Sequence, residues 1–146
     1  MRLIVQRVNR ASVRVEGKIV GEITKGLFVL VGIKKKDSEE DAEPLAEKLS
    51  KLRVMADKDG KINFSVKDVG ASILVVSQFT LYADTSEGNR PSFIDAAGPS
   101  YARKIYERFV SKLKEFGVKV ETGSFGDYME IEASLDGPVT IIIEST

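Results

Sequence analysis

The sequence contains no cysteine, no histidine and no tryptophan among its 146 residues. Without cysteine it has no disulfide, no thiolate nucleophile and no Cys-ligated metal, which excludes a secreted disulfide scaffold. Without histidine it has no Ser-His-Asp triad, no His-ligated zinc and no imidazole base near neutral pH. Any catalysis must therefore use hydroxyls, carboxylates, amides, lysine, arginine, backbone dipoles or groups of the substrate itself.

The sequence also lacks an excess of either charge and any long apolar run. Lys+Arg and Asp+Glu number 22 each, so no global field attracts nucleic acid, and a tRNA partner must be held by a local patch or by its end. No apolar run approaches the ~20 residues that span a membrane. The N-terminal stretch is charged at both ends of its apolar part, unlike a signal peptide. We expect a cytoplasmic protein that forms one domain over residues 1–146, and no membrane partner.

Apolar alternation and short apolar runs predict strands in both halves of the chain. The predicted strands cover residues 3–8, 12–16, 18–23, 27–33, 73–81, 118–122, 128–133 and 139–144. One helix is predicted after a capping box of Ser38 and Asp41, with Pro44 marking a kink or the start of its regular part. A second helix is predicted over residues 99–116, with Gly117 as its C-cap. Two helices among many strands favour an α/β fold with mixed β-sheets packed in layers.

Two segments carry the main candidates for chemistry. Ser77-Gln78-Phe79-Thr80 places three hydrogen-bonding side chains at the end of a buried strand, where sheets commonly meet ligands. Alone, the same pattern also describes a strand that turns polar as it reaches the surface. Asp136-Gly137-Pro138-Val139-Thr140 leads into a strand and, alone, is most simply a turn. A cis Gly-Pro bond there would make a rigid loop able to aim carbonyl groups at a ligand.

Two further segments are candidates for contacts with phosphate. Arg90-Pro91-Ser92-Phe93 lies in a long loop, either as an anchor through Phe93 or as a lid or dimer contact in which Arg90 meets a phosphate. Lys34-Lys35-Lys36 is either a solvated turn or a contact to a phosphate backbone. The residues alone leave both alternatives open.

Taken together and in order, these segments resemble the D-aminoacyl-tRNA deacylase family, often called the D-tyrosyl-tRNA deacylases. Residues 77–81 are similar to its SQFTL motif, and residues 137–140 are similar to its GPVT motif. The similarity extends over essentially the whole chain, through Gln6-Arg7-Val8, Ala11-Ser12-Val13, Gly21-Glu22-Ile23, Gly26-Leu27, Arg90-Pro91-Ser92-Phe93 and Thr122-Gly123. It implies an enzyme that hydrolyses the ester of D-aminoacyl-tRNA, releasing free D-amino acid and tRNA, with mischarged glycyl-tRNA as a candidate second substrate.

The resemblance implies a three-layer β/β/α fold and a homodimer with active sites at the subunit interface. It implies that the terminal adenosine and the scissile ester are surrounded by Ser77, Gln78, Phe79 and Thr80. It also implies that L-amino acids are excluded by a cis Gly-Pro loop from the facing subunit, formed by Gly137, Pro138, Val139 and Thr140. The carbonyl groups of Gly137 and Pro138 would hold the amino group of the substrate. Supporting roles fall to Arg7, Arg90 and Met129, and we predict neither a cofactor nor a metal ion.

The absence of histidine is compatible with this chemistry. Backbone N–H donors can stabilise the tetrahedral intermediate of an ester, and the ribose 2′-hydroxyl of the tRNA would assist the attacking water. Thr80 is the alternative nucleophile, which we disfavour because no base is predictable beside it.

The sequence departs from the family pattern at Leu135, which replaces the usual Asn before the Gly-Pro motif, and at Ser124, which replaces a common Arg. It also departs in the following stretch, Asp127-Tyr128-Met129. Two other functions remain open. A dimeric nucleic-acid-binding or scaffolding protein is disfavoured by the balanced charge. A general esterase without a tRNA requirement is disfavoured by the missing histidine, because nothing obvious activates its nucleophile.

Overall fold

The computed structural model describes residues 1–146, which form eight strands, two α-helices and two short 3-10 helices. The 3-10 helices are Glu39–Asp41 and Phe79–Tyr82. The strands and α-helices, in chain order, are β1 Arg2–Val15, β2 Lys18–Ile23, β3 Gly26–Gly32, α1 Ala42–Lys51, β4 Met55–Ala56, β5 Ile62–Phe64, β6 Ser72–Ser77, α2 Pro99–Glu115, β7 Lys119–Thr122 and β8 Glu130–Glu144. None of the helices combines the length and the apolar character needed to cross a membrane.

Strand β1 organises the main sheet, whose order is β2-β1-β3-β6-β7 with β8 beside β1. The first half of β1 pairs with β3, its second half pairs with β2, and β8 follows its other edge along most of its length, all antiparallel. Strands β3, β6 and β7 are parallel to one another. Strand β2 crosses close over β7, since a Cβ built on Gly21 would lie 2.2 Å from the carbonyl oxygen of Thr122. The sheet therefore folds over itself into two layers.

Two separate apolar cores hold the layers together. The larger core has 25 buried residues and lies between the helices and the sheet, with the Ile105, Phe109 and Leu113 stripe of α2 fully buried in it. The smaller core lies between the two sheet layers and consists of Val8, Ala11, Val13, Ile23, Phe28, Leu74 and Val76. Burial of these apolar faces drives the layers together. The mixed α/β class with two main helices and a β/β/α layering is confirmed.

The helices follow the predictions closely. Helix α2 begins at Pro99, whose missing N–H costs nothing in the first turn, and Gly117 follows its end with a φ of +82°. The predicted capping box is present, because the Ser38 N–H donates to the Asp41 carboxylate at 2.7 Å. Pro44 lies in the first turn of α1, where it displaces no helical hydrogen bond.

The strand predictions were wrong in their boundaries at three places along the chain. Residues 12–16 do not form a strand of their own, because β1 runs unbroken from Arg2 to Val15. The segments 128–133 and 139–144 belong to the single strand β8, which pairs with β1 on both sides of an irregular stretch. The strand predicted over 73–81 ends at Ser77, because the chain then turns into the 3-10 helix.

Candidate active site

The turn after β6 carries the SQFT residues and is fixed by the neighbouring strand β3. The Gln78 N–H donates to the carbonyl of Val31 at 2.8 Å, and the Leu81 N–H then returns to the Gln78 carbonyl at 3.3 Å. Gly32 permits this close approach, since a Cβ there would lie 2.9 Å from Leu81 Cβ. The position of the turn therefore depends on the lack of a side chain in β3.

Within the turn, the polar side chains contact each other. The Gln78 side-chain amide donates to the Thr80 hydroxyl, so this hydroxyl acts as an acceptor. Phe79 is 56% exposed and packs edge-on against Phe93, with 5.1 Å between ring centroids. This contact brings the long loop, and the Arg90-Pro91-Ser92-Phe93 segment within it, beside the turn.

A cavity of about 770 Å³ opens next to the turn, within the range of small-ligand sites. Its walls are mostly apolar and come from β3, the turn, the start of α2 and the segment before β8. The lining residues are Val31, Ile33, Ser77, Gln78, Phe79, Phe93, Ala96, Ala97, Pro99, Ala102, Phe125, Gly126, Asp127, Tyr128, Met129 and Ile131. Its polar lining groups include Ser77, Gln78 and Asp127, which suits a ligand with both an apolar body and hydrogen-bonding groups.

Met129 is held in the wall of this cavity. Its sulfur accepts the Ser124 N–H at 3.4 Å, and a Cβ on Gly123 would lie 2.8 Å from the same sulfur. A side chain at 123 would therefore displace the Met129 sulfur from its place in the wall.

Arg2 holds the far end of the turn. Its Nη1 donates to the Leu81 carbonyl at 2.7 Å, its Nε pairs with Glu144 at 2.6 Å, and its guanidinium lies 5.0 Å from the centre of the Tyr82 ring. Burial, reinforced by the charge of Asp37, raises the pKa of Tyr82 to about 12. The Tyr82 hydroxyl therefore stays protonated near neutral pH and cannot act as a base.

The Gly-Pro motif forms an irregular loop within β8. Leu135 pairs with Val8 and Thr140 pairs with Gln6, so Arg7 alone stands opposite the four residues 136–139. The Gly137-Pro138 peptide is cis, and Gly137 has a φ of +134°, a conformation that side chains disfavour. A Cβ on Gly137 would also lie 2.7 Å from the Val139 nitrogen. Glycine is therefore required at this position.

Arg7 supports the loop from beneath. Its Nε lies 3.2 Å from both the carbonyl oxygen and the carboxylate of Asp136, and its Nη1 donates to the Val54 carbonyl at 2.9 Å. Arg7 is only 9% exposed, so these bonds offset the burial of its charge. The side chain connects β1, the loop and the segment before β4.

The predicted site residues fall into two groups. Ser77, Gln78, Phe79 and Met129 line the cavity, and Thr80 touches it through Gln78. Gly137 and Pro138 do not line this cavity, and Thr140 instead accepts a hydrogen bond from Gln6 at 3.4 Å. Arg90 is exposed and makes no ion pair within the chain. One chain therefore does not bring its two motifs into the same cavity.

Sequence reasoning missed several residues that build the site. Gly32 and Arg2 position the turn, while Val54 helps Asp136, a residue of the predicted Gly-Pro segment, to hold Arg7 under the loop. A glycine within an otherwise apolar strand is a signal that could have indicated close packing at position 32. The other contacts join segments far apart in sequence and leave no local pattern.

Comparisons with known proteins find similarity over nearly the whole chain. Residues 4–144 match the family model described as D-Tyr-tRNA(Tyr) deacylase. The D-aminoacyl-tRNA deacylase of Thermotoga petrophila is 55% identical, covering 100% of this chain and 98% of that protein. Those of Thermosipho melanesiensis and Aquifex aeolicus are 53% and 52% identical, each covering 99% of this chain and 97% and 98% of their own lengths.

Solved structures show the same architecture. The c-Myc DNA Unwinding Element Binding Protein is 40% identical with a TM-score of 0.93, covering 100% of this chain and 99% of that chain. A probable eukaryotic D-amino acid tRNA deacylase is only 16% identical, yet has a TM-score of 0.84 over 97% of both chains, which shows the shared fold. The chain belongs to the D-Tyr-tRNA(Tyr) deacylase family. Its activity is that of a D-aminoacyl-tRNA deacylase, a hydrolase acting on an ester bond.

Proposed function

We propose that this deacylase is a homodimeric chiral proofreading enzyme that binds the end of aminoacyl-tRNA. The SQFT turn of one subunit and the Gly-Pro loop of the other would form each active site. The D-aminoacyl ester would be cleaved there and the L-ester rejected. This activity would act in the cytoplasm, where aminoacyl-tRNA is used. The observation that carries the proposal is the separation of the two motifs, because the Gly-Pro loop does not line the cavity of its own chain.

The cavity beside the turn is the proposed site for the terminal adenosine and the ester. Its apolar walls suit a flat base, and Ser77 and Gln78 supply polar groups at one end. The backbone N–H groups of Phe79 and Thr80 start the 3-10 helix, where N–H groups lack an acceptor within their own helix. Such donors suit the oxyanion that forms when water attacks the ester.

The Gly-Pro loop is the proposed chirality filter. Gly137 and Pro138 are exposed, and the hydrogen bond from Arg7 to Asp136 holds the loop in position from the side of the sheet. The two residues therefore face outward on a fixed backbone. In the proposed dimer, the carbonyl groups of this loop hold the substrate amino group, and the loop leaves no room for an L side chain. A steric clash of this kind is one way to reject one enantiomer. A steric filter of this kind admits glycine, which has no side chain, so glycyl-tRNA is a proposed second substrate.

Strand β8 is the proposed dimer contact. It pairs with β1 alone, so its other edge is open, and most of its 15 residues are exposed. Ile131, Leu135 and Ile142 are exposed large apolar side chains on it. A long open edge with apolar residues is a surface that proteins usually cover. A second copy would cover this strand and carry its Gly-Pro loop to the facing cavity.

Substrate-assisted hydrolysis is the proposed mechanism. The Thr80 hydroxyl accepts a hydrogen bond from Gln78, and no side chain of this chain accepts its proton. Activating a hydroxyl nucleophile requires such a base. The proposed role of Thr80 and Gln78 is therefore to position the ester, while the ribose 2′-hydroxyl of the tRNA assists the attacking water.

The direct test compares hydrolysis of D-tyrosyl-tRNA and L-tyrosyl-tRNA by the purified protein. We expect rapid release of D-tyrosine while the L-ester is spared. Equal hydrolysis of both esters would contradict the filter assigned to Gly137 and Pro138, and hydrolysis of neither would contradict the assigned activity.

A mixing experiment tests the shared site. Gln78→Ala damages the turn and Gly137→Ala damages the loop, so each variant alone should be nearly inactive. After co-refolding in equal amounts, half of the dimers are mixed and each has one intact site, so about a quarter of the wild-type activity should return. A mixture as inactive as its components would show that each site is built within one chain.

Nucleic-acid binding without hydrolysis is the second candidate. It is favoured by the name of the c-Myc DNA Unwinding Element Binding Protein, which is 40% identical to this chain. The balance of 22 basic and 22 acidic residues opposes strong non-specific binding. A salt titration with unrelated DNA and RNA separates the two, because a binding module would retain appreciable affinity that falls steeply with salt.

A further inference from the structure

Tyr128 is an exposed aromatic residue at the mouth of the cavity. It is 90% exposed although it belongs to the cavity lining, and its ring takes part in none of the aromatic or cation-π contacts of the chain. Phe79 and Phe93, by contrast, pack against each other at the same cavity. A large aromatic ring left in water beside a ligand cavity indicates a binding surface.

Lys34-Lys35-Lys36 lies beside another part of the cavity mouth, and we call these lysines and Tyr128 together the rim. Ile33 and Ala96 line the cavity, Lys34 pairs with Ala96 across an isolated bridge, and the Lys35 N–H donates to the Asp95 carbonyl at 3.0 Å. The three lysines are therefore fixed in backbone position within a few residues of the cavity wall.

The positive charge of this run is not neutralised within the chain. None of the three lysines forms an ion pair. Of the acidic residues that follow, Asp37 pairs with the N-terminal ammonium and Glu39 pairs with Lys104, each at 2.6 Å. Glu40 and Asp41 hydrogen-bond to Ser38 and form no ion pair with the lysines of the run. An unpaired basic run suits phosphate groups.

We propose that this rim binds the single-stranded part of the tRNA end that precedes the terminal adenosine. Tyr128 stacks on the penultimate base, and Lys34-Lys35-Lys36 contacts the phosphates. This inference rests on the proposed function, which places the terminal adenosine inside the cavity. An unpaired nucleotide leaving the cavity offers a ring face and a phosphate, which are the groups that an aromatic platform with nearby cations recognises.

Substrates of increasing length test the assignment of Tyr128. D-tyrosyl esters of adenosine, of the dinucleotide CpA and of whole tRNA differ only in the nucleotides beyond the terminal adenosine. For Tyr128→Ala, kcat/KM should be unchanged on the adenosine ester and fall about 10-fold on the CpA and tRNA esters. Tyr128→Phe keeps the ring and should retain wild-type kcat/KM on all three.

The salt dependence of binding tests the lysines. The double variant Lys35→Ala/Lys36→Ala should bind tRNA more weakly at low salt. The slope of log K against log[salt] should become shallower by ~0.7 for each phosphate that the variant no longer neutralises. Lys114→Ala removes an exposed lysine from α2, which lies outside the cavity lining there, and should leave this slope unchanged.

Three outcomes would overturn the proposal. An equal loss on the adenosine ester would mean that Tyr128 acts on the terminal nucleoside. Conversion of the dimer to a monomer by Tyr128→Ala, seen in sedimentation, would mean that a second copy covers the ring. Wild-type kcat/KM of Tyr128→Ala on all three esters would exclude stacking.

A binding measurement tests the rim independently of hydrolysis. The affinity for the free trinucleotide CCA is measured by calorimetry for the wild-type protein and for Tyr128→Ala. A weaker CCA affinity of Tyr128→Ala supports the rim even if the proposed mechanism fails.

Discussion

The two motif segments of this deacylase are supported in opposite ways. The SQFT turn follows the buried strand β6 and is fixed by hydrogen bonds to β3, with Gly32 beneath it. The Gly-Pro loop lies on the outermost strand, is exposed, and is held by a single buried arginine. The first segment faces a cavity of its own chain, while the second faces outward.

Under the proposed function, this difference corresponds to a division of tasks. A turn attached to the core suits the steps common to all substrates, which are binding of the adenosine and stabilisation of the oxyanion. An exposed loop suits the step that distinguishes one substrate from another. We therefore expect loop variants to change the ratio of D-ester to L-ester hydrolysis. Turn variants should change the rate of D-ester hydrolysis and leave that ratio intact.

The largest expected effect belongs to Arg7→Met. It leaves the Asp136 carboxylate and the Val54 carbonyl without their buried partner, so the free energy of unfolding should fall by about 3 kcal/mol. Selectivity for the D-ester should fall as well, because the loop loses its support. Chemical denaturation and paired D- and L-ester assays measure both. Arg103→Met is the control, since it breaks an exposed pair with Glu107 and should cost under ~1 kcal/mol.

Gly137→Ala comes next. The φ of +134° and the 2.7 Å approach to the Val139 nitrogen should displace the loop at a cost of about 2 kcal/mol. If the whole cost is added to the activation free energy of the D-ester reaction, kcat/KM for the D-ester falls ~30-fold. Gly60→Ala also replaces a glycine of positive φ, +76°, but lies in open space outside the loop and should leave activity unchanged. Full activity of Gly137→Ala would mean that the loop does not touch the substrate.

Gly32→Ala tests the SQFT turn rather than the Gly-Pro loop. The new methyl group would lie 2.9 Å from Leu81 Cβ and 3.3 Å from the Gln78 carbonyl, so the turn must shift. Overpacking of this kind costs ~1–2 kcal/mol. We expect a slower D-ester reaction with unchanged discrimination against the L-ester. A change in discrimination would contradict the division of tasks between turn and loop.

The smallest effect is expected for Thr80→Ala. The variant loses one exposed hydrogen bond with Gln78, so the turnover rate should fall less than ~3-fold. Mass spectrometry of the wild-type enzyme during turnover gives a second measurement. A covalent aminoacyl adduct on Thr80 would replace substrate-assisted hydrolysis with a nucleophilic mechanism.

Local sequence patterns predicted most of the fold but less of the site. The stripe of Ile105, Phe109 and Leu113 and the apolar runs of β3 and β6 reflect their own burial, so periodicity identified these elements. The end of β6 at Ser77 was missed because it depends on a hydrogen bond to Val31, far away in sequence. The continuity of β8 was missed because only its pairing with β1 carries it past Gly137.

The candidate site was identified by resemblance, since four polar residues after a strand are a weak signal alone. Sequence reasoning placed Arg7 among the supporting residues but could not assign its contacts with Asp136 and Val54. The exposure of Tyr128 was also inaccessible, because a tyrosine before a strand is as readily buried as exposed. Long-range contacts and solvent exposure are properties of the folded chain, and no local pattern encodes them.

The residues of the Gly-Pro loop are separate from the residues through which β8 pairs with β1. Pairing with β1 resumes at Thr140 opposite Gln6 after having stopped at Leu135 opposite Val8, so the intervening residues lie outside the ladder. Gly137 and Asp136 are fixed there by the positive φ and by Arg7, but a change at the exposed Pro138 leaves the pairs of both halves of β8 with β1 in place. Under the proposed function, substrate preference could therefore be altered at this position while the sheet stays intact.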